Sequence, residues 1–314
     1  MLASQKIAGL DLLRGIAAFG IVGCHLLISP RTEWGAFVTS FCDLNVGIFA
    51  AVAGFLMAKS AVVGWRAYVC KRAKRILPTY IVWTVIYLIA SALFQYVGSG
   101  AIKSRYGTVD FWIRSAFCGG SSAHLWFLIC LFYAQCLLGA VRSVKISCFW
   151  FVSVGFLLVV LTRWTGGWFG LYPLRLLAFL VTGYGLGLID WKPSLRFVWM
   201  GVAGALVLHV GFRGMLPGFV NDWIVAVPTI LAFSQIRFSE GRLDRMAAFL
   251  GATSMGVYLI HPLLTAGFGV IVRKFFAQPY GVSTVMLDWL VCWLLALLLS
   301  VVLQRIPLFN RFVR

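Results

Sequence analysis

Ten apolar segments of roughly membrane-spanning length follow one another along this chain of 314 residues. A transmembrane helix needs about 20 mostly apolar residues, and backbone exposed to lipid must satisfy its own hydrogen bonds. The sequence therefore predicts an all-α, polytopic membrane protein with about ten transmembrane helices around an intramembrane cavity. The same pattern predicts a single domain, 1–314, with no soluble domain. The predicted spans are 8–29, 44–63, 76–97, 124–141, 147–163, 171–190, 197–213, 222–236, 247–271 and 284–304.

The composition agrees with this assignment and excludes several classes of protein. The chain is 61% hydrophobic and 11% charged, whereas a soluble domain has about 25% charged residues. These values exclude a disordered chain and a secreted disulfide scaffold. A net charge of +18 would indicate nucleic-acid binding in a soluble protein. Here the basic residues lie mostly between apolar runs, so the charge reflects membrane topology and no nucleic-acid partner is expected.

The basic residues are distributed unequally between the loops that join the spans. With the N-terminus inside, roughly twice as many Lys and Arg residues fall in the inner segments as in the outer loops. Cytoplasmic loops of membrane proteins carry this excess. Because an even number of spans returns the chain to its starting side, we predict that both termini lie in the cytoplasm.

The first span carries three ionisable side chains, Asp11, Arg14 and His25. Such groups at membrane depth cost about 2.5–3.5 kcal/mol on insertion scales, so they mark functional sites by default. The helix between Arg14 and His25 turns about 20° beyond three full turns and rises about 16 Å, which places both on one face. Asp11 is predicted to pair with Arg14 one turn away. This pattern suits a donor that enters from the cytoplasm, with its phosphates held low and its reactive end at mid-depth.

The same residues also have a purely structural interpretation. Arg14 could extend its guanidinium to the inner interface, and His25 could hydrogen-bond a neighbouring helix. Arg72 and Arg75 lie one turn apart before the third span, where they could grip phosphates on one face or serve only to orient the chain. The 3′-phosphate and pyrophosphate of CoA are candidate occupants.

Three further side chains are candidates for ligand binding. His124 and Trp126 open the fourth span, where Trp126 also suits an interfacial aromatic belt. His261 precedes Pro262 and could instead satisfy backbone groups that the proline leaves free. Arg175 lies inside a span without a clear partner in the sequence. The cysteines lack the spacing typical of metal sites, so no metal is expected.

In order along the chain, these residues resemble the acyltransferase-3 family of bacterial integral-membrane O-acyltransferases. The family hallmark is a basic residue, ten intervening residues and a histidine, which Arg14 and His25 match. Ala53 stands where the family usually has serine, and Gly47 and Ala50 also depart from its pattern. Four later elements agree with the family, namely Ala53-Gly-Phe-Leu56, Arg72-Ala-Lys-Arg75, His124-Leu-Trp-Phe127 and Tyr258-Leu-Ile-His261-Pro262. The His124 element and segment 298–306 are most similar to the enterobacterial common-antigen type of O-acetyltransferase.

The resemblance implies an acyl-CoA-dependent O-acyltransferase of the bacterial cytoplasmic (inner) membrane. Its donor would be acetyl-CoA or another short acyl-CoA. Its acceptor would be a hydroxyl of a surface or exported polysaccharide, such as O-antigen or exopolysaccharide, or of its lipid-linked precursor.

On this basis each candidate residue has an expected role. Arg14, Arg72 and Arg75 are expected to bind the CoA phosphates. His25, with Arg14, is expected to be catalytic, acting as a general base or relaying the acyl group. The expected sugar-binding residues are His124, Trp126 and His261.

Two other functions are compatible with the sequence. A polytopic transporter or flippase of lipid-linked glycans would also have about ten spans and intramembrane charge, but it would not consume acetyl-CoA. A non-catalytic membrane subunit of a glycan-assembly complex would not need His25. Cleavage of the acyl-CoA thioester therefore separates the enzyme from both alternatives.

Overall fold

The structure, a computed structural model, describes residues 7–26, 33–60, 64–99, 124–141, 144, 146–162, 171–189, 194–211, 218–275 and 282–313. All regular structure within these ranges is helical, which confirms the predicted all-α class for the part described. The helices are α1 (Ala8–Cys24), α2 (Glu33–Ala58), α3 (Trp65–Ser99), α4 (Trp126–Val141), α5 (Cys148–Leu161), α6 (Leu171–Leu188), α7 (Leu195–Gly211), α8 (Gly218–Gln235), α9 (Arg242–Phe275), α10 (Val282–Arg305) and α11 (Pro307–Val313).

Each of the ten predicted spans overlaps one of the helices α1 to α10. Three stretches are long and apolar enough to cross a membrane, namely Trp65–Leu93 in α3, Arg242–Gly267 in α9 and Val285–Arg305 in α10. Shorter apolar stretches occur in α2, α4, α5, α6 and α7. The number of about ten crossings therefore stays a prediction, whereas helix is observed over most of the described part of each segment.

Large apolar side chains lie on the outside of the bundle, and several ionisable ones are buried inside it. Phe149 in α5 is 70% exposed and Phe197 in α7 is 72% exposed, whereas Arg175 and Asp222 are buried. Soluble monomers rarely expose wide apolar surfaces, while lipid-facing helices do. The distribution indicates a membrane protein.

Helix α1 contacts α2 in the antiparallel sense and α9 in the parallel sense. Positions 20 and 23 of α1 lie against positions 45 and 42 of α2, so the order reverses. Positions 15 and 25 lie against positions 250 and 261 of α9, so the order is kept. An antiparallel contact with the second helix and a parallel contact with the ninth are what a chain shows when successive helices alternate in direction.

Helices α2 and α6 approach each other closely because glycines face backbone on both sides. A methyl group on Gly54 would overlap the carbonyl oxygen of Leu180, and one on Gly183 would overlap the carbonyl oxygen of Ala51. Small residues at crossing points let membrane helices pack backbone to backbone. The glycine of the Ala53-Gly-Phe-Leu56 element therefore has a packing role.

The C-terminal helix α11, which was not predicted, lies between α3 and α9. The indole of Trp83 in α3 donates a hydrogen bond to the carbonyl of Phe312 at 3.1 Å. The hydroxyl of Ser300 in α10 donates to the carbonyl of Thr253 in α9 at 3.3 Å. The first bond ties α11 to α3, and the second ties α10 to α9. Both α3 and α9 contribute to the site below.

Candidate active site

Three histidines from distant parts of the sequence meet near the end of α1. His25 follows the last residue of α1, His124 precedes the first turn of α4, and His261 lies within α9. Their ring centroids are 5.0 Å apart for His25 and His261, 5.9 Å for His124 and His261, and 6.4 Å for His25 and His124. The sequence nominated the three residues separately, and the fold joins them in one histidine cluster (His25, His124 and His261).

His261 has one ring nitrogen engaged and one available. Its Nδ1 lies 3.2 Å from the carbonyl oxygen of Val257, and because a carbonyl can only accept, Nδ1 carries the proton. Nε2 is then an acceptor, and it has no hydrogen-bond partner among the described residues although the side chain is fully buried. The bond to Val257 agrees with the structural interpretation of a histidine that bonds backbone near Pro262. It nevertheless leaves Nε2 available to a ligand.

Two tyrosines, neither of them predicted as a site residue, connect the elements of the cluster. The Tyr87 ring lies 4.5 Å from the His124 ring, and its hydroxyl donates to the carbonyl of Leu259 at 2.8 Å. The Tyr258 hydroxyl donates to the backbone carbonyl of His124, and its ring lies 6.0 Å from that of His261. One helical turn separates Tyr258 from His261, which is a usable signal, whereas nothing local marks Tyr87.

Arg14 lies three turns before the cluster on α1, and aromatic rings connect the two. Its guanidinium is 3.7 Å from the Asp11 carboxylate, which confirms the predicted pair, and 5.9 Å from the Phe49 ring centroid. Phe49 lies 6.2 Å from Tyr258, and Phe127 lies 5.3 Å from Tyr258. The aromatic row (Phe49, Phe127 and Tyr258) thus leads from Arg14 to the histidine cluster.

Arg72 and Arg75 lie in the first third of α3, near the Arg14 end of α1. The Arg72 guanidinium stacks over the Tyr68 ring at 5.0 Å from its centroid. The charge of Arg75 acts on Arg14, and the charge of Arg72 acts on Arg75. Three guanidiniums are therefore within electrostatic reach of their neighbours, and an anion between them would offset their repulsion.

A buried ion pair between α6 and α8 was not predicted. Arg175 Nη2 lies 2.6 Å from the Asp222 carboxylate, and the two side chains are 8% and 5% exposed. The sequence offered no partner for Arg175, and the structure supplies one from α8. The same Nη2 donates to the backbone carbonyl of Asp43 at 3.0 Å, and the charge of Asp43 acts on His25.

Trp126, the remaining predicted site residue, is half-buried at the start of α4, with its ring 6.0 Å from that of Phe127. It therefore joins the aromatic row at one side. Within the described ranges, no group of three or more His, Cys, Asp or Glu side chains is arranged to hold a metal ion.

An apolar cavity of about 650 Å³ lies between α4, α5 and α6, with Leu137, Trp150 and Val181 in its lining. Leu137 is about 20 Å along α4 from His124. The cavity is thus remote from the histidine cluster. The intramembrane cavity expected at the cluster stays a prediction.

All of these residues lie within a region of the chain that matches a known protein family. The family model of the acyltransferase-3 type, described as an acyltransferase domain, matches residues 7–305. This range contains every candidate site residue. No curated protein and no solved structure shows a significant match to the chain.

Proposed function

This chain belongs to the acyltransferase-3 family, and we propose that it is a membrane O-acyltransferase with cytoplasmic acyl-CoA as donor. It moves an acetyl or other short acyl group to a hydroxyl of a bacterial surface or exported polysaccharide, or of its lipid-linked precursor. The supporting observation is the placement of three imidazoles near one end of α1 and of three guanidiniums near the other. The His124 element and segment 298–306 favour the enterobacterial common-antigen type.

The donor end is formed by Arg14, Arg72 and Arg75. Guanidinium groups make charge-assisted, bidentate hydrogen bonds to phosphate oxygens, and CoA carries a 3′-phosphate and a pyrophosphate. Bound phosphate also offsets the mutual repulsion of the three side chains. The charge bias of the loops puts this end at the cytoplasmic side, where acyl-CoA is available.

The aromatic row lies beside the path from the donor phosphates to the reaction centre. Phe49 contacts Arg14 at one end, and Tyr258 contacts the histidine cluster at the other. The path is about 16 Å along α1, which the extended pantetheine arm of CoA can cover. The thioester therefore reaches His25 while its phosphates stay with the arginines.

At the cluster, His25 acts as general base on the acceptor hydroxyl. The hydroxyl oxygen forms a bond to the acyl carbon, the carbon–sulfur bond breaks, and the proton passes to His25 and then to the CoA thiolate. The ester and free CoA are the products. His261, through its available Nε2, and His124 hold the sugar, with Trp126 beside them.

Thioester cleavage by the purified protein in lipid nanodiscs tests this proposal. Acetyl-CoA is supplied with methyl glycosides of hexoses and N-acetylhexosamines, and free CoA thiol and acetylated sugar are both measured. General-base catalysis contributes about 10²–10⁴-fold, so His25→Ala should lose at least a hundredfold in kcat. His209→Ala removes another buried histidine, in α7, and should keep the activity.

Two outcomes would overturn parts of the proposal. Transfer at the wild-type rate in His25→Ala would remove His25 from its role. Absence of thioester cleavage, together with unchanged O-acetylation of surface glycans in a deletion strain by mass spectrometry, would overturn the activity itself. That second pattern is the one expected of the transporter.

The donor site has its own test. Arg72→Ala/Arg75→Ala should raise the KM for acetyl-CoA with little change in kcat, because phosphate binding acts equally on substrate and transition state. Lys71→Ala/Lys74→Ala, which removes two neighbouring charges from the same segment, is the matched control. Undiminished affinity in the arginine variant would overturn the phosphate assignment.

The proposed location is the inner membrane, with both termini in the cytoplasm. A reporter active only in the cytoplasm, fused after Arg314, should be active. An inactive fusion of a correctly inserted protein would contradict the orientation.

A further inference from the structure

We propose that Arg175 is a positioning residue for the acyl transfer, which ties the backbone at Asp43 to Asp222 and so keeps the Asp43 carboxylate beside His25. The inference rests on the proposed function, because it assigns Asp43 a role toward the general base. Neither Arg175 nor Asp222 belongs to the family elements found in the sequence.

One nitrogen of Arg175 makes both connections. Nη2 carries two protons, and it lies 2.6 Å from the Asp222 carboxylate and 3.0 Å from the carbonyl oxygen of Asp43. The three residues belong to α6, α8 and α2, so one guanidinium joins three helices. A second bond also joins α6 and α8, from the indole of Trp223, the residue after Asp222, to the Thr182 hydroxyl at 2.8 Å.

The register of α1 and α2 brings Asp43 to within one helical turn of His25 along the bundle. The antiparallel contact places Gly23 against Cys42, the residue before Asp43. The Asp43 side chain is exposed at this end of the bundle, and its charge acts on His25. When His25 takes the proton of the acceptor hydroxyl it becomes an imidazolium, which a neighbouring carboxylate stabilises.

Stability alone does not account for this ion pair. Replacing a buried ion pair by apolar residues of similar volume is often neutral or stabilising, because both charges must lose their hydration. Ionisable residues at membrane depth are correspondingly rare and usually serve function. The bond from the same guanidinium to the Asp43 carbonyl provides a functional explanation for the ion pair, which packing alone does not.

The test removes both charges together, since removing only one would leave an unpaired buried charge. Arg175→Met/Asp222→Leu is purified and its melting temperature, KM for acetyl-CoA and kcat are compared with wild type. We expect an intact fold, an unchanged KM and a kcat lower by about tenfold. Thr182→Val is the matched control, because it breaks the other bond between α6 and α8 without affecting Asp43, and it should keep its kcat.

Asp43→Asn completes a double-mutant cycle. If Arg175 acts through Asp43, Asp43→Asn lowers kcat about as much as Arg175→Met/Asp222→Leu does. Combining all three substitutions then lowers kcat little further. Arg175→Lys keeps a donor and a charge, and it should recover part of the lost kcat. Wild-type kcat in the folded double variant, full additivity with Asp43→Asn, or an equal loss in Thr182→Val would overturn the inference.

The two proposals fail in distinguishable ways. An inactive wild-type protein with acetyl-CoA contradicts the proposed function. An active wild type that His25→Ala inactivates, together with an unaffected Asp43→Asn variant, contradicts only the positioning role. Asp43→Asn leaves the ion pair intact, so it decides the question even where the double variant does not fold.

Discussion

Gly54→Ala is expected to push α2 and α6 apart, because the added methyl group has no space between them. Its Cβ would overlap the carbonyl oxygen of Leu180 and lie 2.9 Å from both the carbonyl carbon of Leu180 and the amide nitrogen of Tyr184. Ordinary van der Waals contact begins at 3.4 Å. These are backbone atoms that no side-chain rotation can move, so the helices must separate by at least about half an ångström.

The expected loss of stability combines two opposing effects. Overpacking costs about 1–3 kcal/mol, and the better helix propensity of alanine offsets about 0.5–1 kcal/mol of it. We expect a net destabilisation of about 1–2 kcal/mol, seen as a melting temperature lower by several degrees. Activity should fall as well, since α2 also carries Phe49 and Asp43.

Thermal unfolding in detergent, followed with a thiol-reactive dye, measures this effect because Cys42, Cys130 and Cys292 are buried. Gly204→Ala in α7 is the control, since no atom lies within 4 Å of its added methyl group. Only the propensity gain applies there, and the melting temperature should hold or rise. Equal melting temperatures for the two variants would refute the close approach of α2 and α6.

Three further substitutions test other contacts. Tyr258→Phe removes the hydroxyl that donates to the His124 carbonyl, so kcat should fall about tenfold at constant KM for acetyl-CoA. Steady-state CoA release measures kcat, and an unchanged value would argue against the bond. Trp83→Phe removes the indole donor to the α11 backbone and should lower the free energy of unfolding by about 1 kcal/mol, which thermal unfolding checks against wild type. Asp11→Asn removes a carboxylate that partly neutralises Arg14 and repels the CoA phosphates, so the KM for acetyl-CoA should fall about two- to fivefold. A higher KM would mean that Asp11 orients Arg14.

The helices α1 to α10 could be predicted from the sequence, but their ends and the short helix α11 could not. Hydropathy measures the length of chain that lipid accepts, and a helix continues beyond it wherever polar residues are helical too. The third predicted span begins at residue 76, whereas α3 begins at Trp65 and includes the basic segment. The first predicted span extends to residue 29, whereas α1 ends at Cys24, with His25 as its cap.

Part of the candidate site could be predicted because it is local. Asp11 and Arg14 share one turn, so their pair follows from helix geometry alone. The family elements nominated His25, His124 and His261 one at a time. Tyr87, Asp43 and the ion pair carried no such signal, because each matters only through residues on other helices.

The sequence by itself determined that this protein is a helical membrane protein of the acyltransferase-3 family. Apolar length, helical period and family elements are properties of contiguous chain. Only the tertiary structure decided which helices are neighbours. That choice depends on contacts between distant segments, such as Gly54 against Leu180 and Arg175 against Asp222. The convergence of three histidines at the end of α1 is a consequence of that packing.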